Sequence, residues 1–82
     1  MILHTINKPA ALRLCEKLIR ADDQVILIEE GVYLANTDMP GEVSVICTDA
    51  MARGWDVGDV KQIDYAEFVS LTVQAEKVCN WF

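Results

Sequence analysis

Basic residues are scarce: seven Lys and Arg stand against thirteen Asp and Glu in 82 residues, a net charge of −6 at pH 7. That balance excludes a sequence-independent nucleic-acid binder, because neutralising phosphates needs clustered Lys and Arg. Histidine occurs once, at His4, and Cys15, Cys47 and Cys79 contain no C-x-x-C pair. Neither a structural metal site nor a disulfide framework is therefore expected. G-x-G-x-x-G and P-loop motifs are missing, and no cofactor is expected. No apolar run approaches the ~20 residues that span a bilayer, and no basic stretch leads into an apolar segment at the start. The expectation is a cytoplasmic chain with reduced thiols and no membrane association.

Hydrophobic residues make up 52% of the sequence. A chain this short buries only about 60% of the surface exposed when unfolded, so part of that apolar content is expected to meet a partner chain. The terminal pair Trp81 and Phe82 are the candidate interface anchors, since large aromatics dominate desolvated contacts. Charge is uneven: Lys8, Arg13, Lys17 and Arg20 oppose only Glu16 in residues 1–20, whereas the remainder is strongly acidic. Arg13, Lys17 and Arg20 also form the polar outer stripe of an ordinary soluble helix.

Strand and helix signals alternate over a single domain, residues 1–82. Met1 to Ile6 reads as a strand, with Asn7 capping a helix over about Lys8 to Arg20 whose buried stripe is Ala11, Leu14, Cys15 and Leu18. Val25 to Ile28 lacks alternation and suits a strand covered on both faces, and Val43 to Thr48 reads as the third strand. Residues 30–35 read as a short helix, 36–42 as a loop, and Asp49 as the cap of a brief helix ending at Gly54. Val60 to Ile63 follows as a fourth strand. Asp64 with Glu67 forms a capping box for a last helix with Phe68, Leu71, Thr72 and Ala75 inward. The economical fold is a three-layer α/β/α sandwich with a small, mainly parallel sheet, expected in the order 2-1-3-4, with the first and last helices on opposite faces.

Ligands of open α/β sheets lie beyond the carboxyl ends of the strands, which collects His4, Glu29, Glu30, Cys47, Thr48, Asp49, Asp64 and Tyr65 as the candidate rim. Four carboxylates without a neighbouring Lys disfavour a phosphorylated substrate there. Cys47 to Arg53 has the C-x₅-R spacing of a phosphatase loop, but lacks an internal glycine and carries Asp49, so Cys47 reads better as a cysteine packed at a strand end. Asp22-Asp23 precedes the second strand and reads as a solvated turn rather than a phospho-receiver pair. Cys15 falls on an apolar helix stripe, where burial blunts a thiol.

Ile2-Leu3-His4-Thr5 with Asn7-Lys8, Val25 to Tyr33, Ala52-Arg53-Gly54, and Ile63-Asp64-Tyr65 with Phe68-Val69 and Leu71-Thr72 together resemble the TusB/DsrH family. The resemblance implies a small α/β/α subunit of a sulfur-relay heterohexamer, with TusC/TusD-like or DsrE/DsrF-like partners. The principal carrier cysteine would lie on a partner subunit and this chain would be non-catalytic, with Cys15 a candidate auxiliary sulfur carrier at the position where DsrH proteins have a cysteine. The relay would end in 2-thiolation of the transfer-RNA wobble uridine. Alternatives are a DsrH-type role in dissimilatory sulfur oxidation, or a stand-alone homodimer or larger homo-oligomer that binds a ligand. The short stretch 36–42 departs from longer relatives.

Overall fold

Runs of branched residues without alternation belong in strands covered on both faces, and they occupy the middle of the sheet. The computed structural model describes residues 1–82. Its strands are β1 (Ile2–Ile6), β2 (Gln24–Leu27), β3 (Glu42–Ile46), β4 (Lys61–Ile63) and β5 (Lys77–Trp81), in the order β4-β3-β2-β1-β5, all parallel. The helices are α1 (Leu12–Cys15), flanked by 3-10 turns at Pro9–Ala11 and Glu16–Leu18, α2 (Cys47–Ala52) and α3 (Tyr65–Gln74). A further 3-10 stretch covers Glu29–Leu34. The α/β sandwich is as expected, and α1 and α3 lie on opposite faces. No helix is long and apolar enough to cross a membrane.

The order 2-1-3-4 is corrected. Successive strands β1 to β4 step one position at a time in one direction, and the fifth strand, unforeseen, returns to the free side of β1. The connection that makes the jump is α3. Ten helical residues span about 15 Å, which carries the chain over the three strand spacings of about 4.8 Å from β4 to β1, and the residues after the helix complete the fourth step to β5. The apolar residues beneath α3 record its path: Ile63 on β4, Ile46 on β3, Ile26 on β2 and Leu3 on β1 form one cluster with Phe68, Leu71 and Ala75. Ile46 is level with Ile63, Ile26 with Ser44, and Leu3 with Gln24, so the apolar set descends diagonally across the sheet. Thr72, expected inward, turns its hydroxyl to the Val69 carbonyl.

The other face holds the larger cluster, in which Ile6, Val25, Leu27 and Val45 meet Ala11, Cys15, Ile19, Val32, Ala35 and Ala50. The buried stripe of the first helical segment is therefore Ala11, Cys15 and Ile19. Leu14 and Leu18, expected inside, are 62% and 57% exposed, each one residue before the buried positions Cys15 and Ile19 and so off the inward side. Asn7 does not cap it; Lys8 holds that position without a side-chain bond.

Gly31 lies where the 3-10 stretch crosses the end of β1, and a Cβ there would stand 2.0 Å from the Ile6 carbonyl oxygen. That carbonyl is fixed by the Ile28 amide at 3.0 Å, so the backbone cannot yield without breaking the bond that closes the β1–β2 pairing. Gly31→Ala is expected to cost about 3 kcal/mol or more in urea unfolding, through overpacking against backbone. A cost below about 1 kcal/mol would show that the crossing is not tight.

Candidate functional site

At the carboxyl end of the sheet, β2 and β3 hand over to the residues that meet on the rim. Glu29 is the one non-glycine residue with positive φ, at 50°. Such a backbone costs roughly 1–2 kcal/mol and needs an external restraint. The restraint is Asp49 in the first turn of α2, whose carboxylate accepts from the Glu29 amide at 2.8 Å and stands 3.4 Å from the Tyr65 hydroxyl. Loss of hydration, together with that carboxylate, pushes the Tyr65 phenol up. Arg53 bonds the Asp49 carbonyl and the Glu30 carboxylate, each at 3.1 Å. The rim thus assembles Glu29, Glu30, Asp49, Arg53 and Tyr65. Asp64 caps α3 by accepting from the Glu67 amide at 2.8 Å, as its spacing predicts.

Asp49 was expected to cap α2, yet Ile46 is the extended residue before it and the helix begins at Cys47. Winding from Cys47 onward removes the open loop of amides that a C-x₅-R oxyanion cradle requires, and Arg53 faces Asp49 and Glu30 instead. Cys47 is half-buried. Aryl-phosphate hydrolysis dependent on Cys47 is not expected, and turnover abolished by Cys47→Ser would contradict this geometry. No three His, Cys, Asp or Glu side chains are grouped to hold a metal ion.

His4 does not stand on the rim. It occupies the middle of β1, 2% exposed, because its ring is drawn toward the opposite end of the sheet by Asp23. Asp23, read from the sequence as part of a solvated turn, is itself 2% exposed. Its carboxylate accepts from the Ile2 amide at 3.0 Å, the Arg20 amide at 3.0 Å and His4 Nε2 at 3.1 Å. The Trp81 indole donates to His4 Nδ1 at 3.0 Å. Indole nitrogen is a donor only, so Nδ1 accepts and the ring proton facing Asp23 sits on Nε2. No signal in the sequence separates this Asp from its neighbour Asp22; the pairing needs the sheet register to be known.

The three cysteines are all free. Cys15 is fully buried and turns its Sγ to the Ala11 carbonyl at 3.5 Å. Burial, with the adjacent Glu16, pushes its thiol up. The strand order reverses between β1 and β5, the place where crevices form in open α/β sheets. Asn7, at the end of β1, there leaves its Oδ1 buried without a partner.

The family model described as DsrH like protein matches residues 7–78. The chain belongs to the DsrH-like family. Among solved structures, protein Tm0979 from Thermotoga maritima, determined by solution NMR, is 29% identical to this DsrH-like chain, covering 93% of it and 95% of its own length with a TM-score of 0.72. The crystal structure of the YchN protein from E. coli is 20% identical over 96% of both chains, with a TM-score of 0.67, and shows the shared fold. Among proteins with curated functions, none matches. Membership of the DsrH-like family supports a coarse assignment, a sulfur-relay subunit that acts with partner subunits.

The Asp23 network makes a pH prediction. Burial alone would raise this carboxyl, but hydrogen bonds from the Arg20 and Ile2 amides and from His4 outweigh it and hold it at about 2. A depressed folded-state value means the stabilisation is complete above the unfolded value of about 4 and is lost as pH falls through about 2. Acid unfolding should therefore show a loss of about 2 kcal/mol across that window. Asp23→Asn should flatten it, and an equally steep loss in the variant would remove Asp23 as its source.

Proposed function

We propose that this chain is a structural subunit of a sulfur relay, holding a partner's carrier cysteine in position rather than carrying the sulfur itself. One observation carries the reading: the apolar residues that the core leaves over are grouped on both faces. Tyr65, Val69 and Val73 recur at i, i+4 and i+8 on α3, 51%, 59% and 80% exposed, and no residue of that helix is buried. Leu14 and Leu18 form the corresponding pair on the other face. With 21 of 82 residues buried, the domain lacks core to spare, and covering these stripes supplies what it lacks.

Persulfide transfer requires an acceptor thiolate to attack the outer sulfur of a donor persulfide, with the donor thiolate leaving. Cys15 meets neither condition in this packing, since its thiol is enclosed and its ionisation is opposed. The rim formed by Glu29, Glu30, Asp49, Arg53 and Tyr65 suits a protein contact of opposite charge better than an anionic substrate. The partners in this reading are related α/β subunits of the TusC/TusD or DsrE/DsrF type in a heterohexamer, in the cytoplasm. The acceptor pathway is the 2-thiolation of transfer-RNA wobble uridine.

Trp81 is half-buried against the domain, and Phe82, 61% exposed, is the free anchor of the terminal pair. Deleting Phe82 should weaken assembly by about 2 kcal/mol if it seats in a partner pocket, read from subunit dissociation. In a reconstituted complex, Cys15→Ser should keep most sulfur transfer, and sulfide-labelled mass spectrometry should place the added sulfur on a partner. A stoichiometric persulfide on Cys15, with transfer lost in the serine variant, would reverse the proposal.

A further inference from the structure

The diagonal course of α3 leaves one corner of its sheet face uncovered, and that corner is chemically unlike the rest. Beneath the helix the sheet presents Ile63, Ile46, Ile26 and Leu3. Beside it, at the amino ends of β2, β3 and β4, the same face presents Gln24, Glu42, Ser44 and Lys61, with Ser44 level with Lys61 and Gln24 level with Glu42. The helix contributes Glu67 and Ser70 from the i, i+3 stripe that overlooks this corner. Together they enclose a groove of about 210 Å³.

Ser44 is 2% exposed, yet its hydroxyl makes no hydrogen bond and lines the groove. Its oxygen opens onto the groove and is free to bond a ligand. The charges around it are also unspent. Glu42 accepts from the Gln24 amide at 2.8 Å, whereas the Lys61 ammonium and the Glu67 carboxylate enter none of the ion pairs of the structure. One cation, Lys61, and two carboxylates without a cationic partner, Glu42 and Glu67, therefore flank an unpartnered hydroxyl, in a space large enough for a small metabolite and too polar to be an apolar docking groove.

The geometry points to a binding site for a small zwitterion of the free α-amino-acid class, with its carboxylate on Lys61 and Ser44 and its ammonium on Glu67. The site lies at the amino end of the sheet, away from the rim, and goes beyond the relay role proposed above; it requires neither a thiol nor a partner chain. A single charged group at either end would leave the other unmatched, so ligands with only one of the two charges should bind poorly.

The test is a ¹H–¹⁵N NMR titration of the full chain with free L-serine and L-lysine, with acetate, ethylamine and N-acetyl-L-serine as controls. Saturable shifts confined to residues 42–46, 61–63 and 67–74 are expected for the amino acids and not for the controls. Lys61→Met and Glu67→Gln, both at exposed positions, should each weaken binding by about tenfold or more while leaving the remaining spectrum in place. Shifts that do not saturate, that acetate reproduces, or that survive unchanged in Lys61→Met would overturn the assignment.

Discussion

The Asp23 carboxylate is the point on which the amino end of the sheet depends. It ties the first amide of β1, the turn that delivers β2 and the side chain of His4, and through His4 it reaches Trp81 on the edge strand β5. A buried carboxylate is unfavourable unless its oxygens are satisfied, and here three donors satisfy them. The chain of bonds runs from the second residue to the eighty-first, so the two ends of the sequence are locked side by side. Breaking it by removing one partner would leave a desolvated charge, a change that costs far more than the pair contributes when intact.

This network also explains what the sequence disclosed and what it withheld. Val25 to Leu27 was legible because a strand covered on both faces needs an unbroken apolar run, Val43 to Ile46 because β-branched residues dominate it, and the Asp64 cap because its partner lies three residues away. Local chemistry leaves a local trace. Asp23, His4 and Trp81 are far apart in sequence, and their relation exists only once β5 pairs with β1; an acidic residue in a turn looks solvated until the register closes over it. Strand β5 was missed because Lys77, Cys79 and Trp81 alternate with Val78 and Asn80 at a sheet edge, without the apolar run of its neighbours. Leu14 and Leu18 were misplaced because an i, i+3, i+4 pattern also fits a segment whose buried side repeats strictly every four residues.

Of the candidate rim, Glu29, Glu30, Asp49 and Tyr65 are brought together by the carboxyl ends of β2, β3 and β4, as topology requires of any parallel sheet. His4 was drawn out of that set by its bond to Asp23. The left-handed backbone of Glu29, held by Asp49, could not be foreseen from residue types, since it is a product of two segments meeting.

The same economy governs the surface. One helix crosses an entire sheet face on a diagonal, which covers the apolar residues beneath it and leaves its own outer stripe bare. In the role proposed above, those bare stripes are half of an interface, in keeping with a family whose members act as subunits. Hydrogen–deuterium exchange on the chain alone and after assembly with its co-expressed partners tests this most directly. Slowed exchange confined to Tyr65–Gln74 and to the Leu12–Leu18 segment is the result the account predicts. Unchanged exchange in both segments within an intact complex would contradict it.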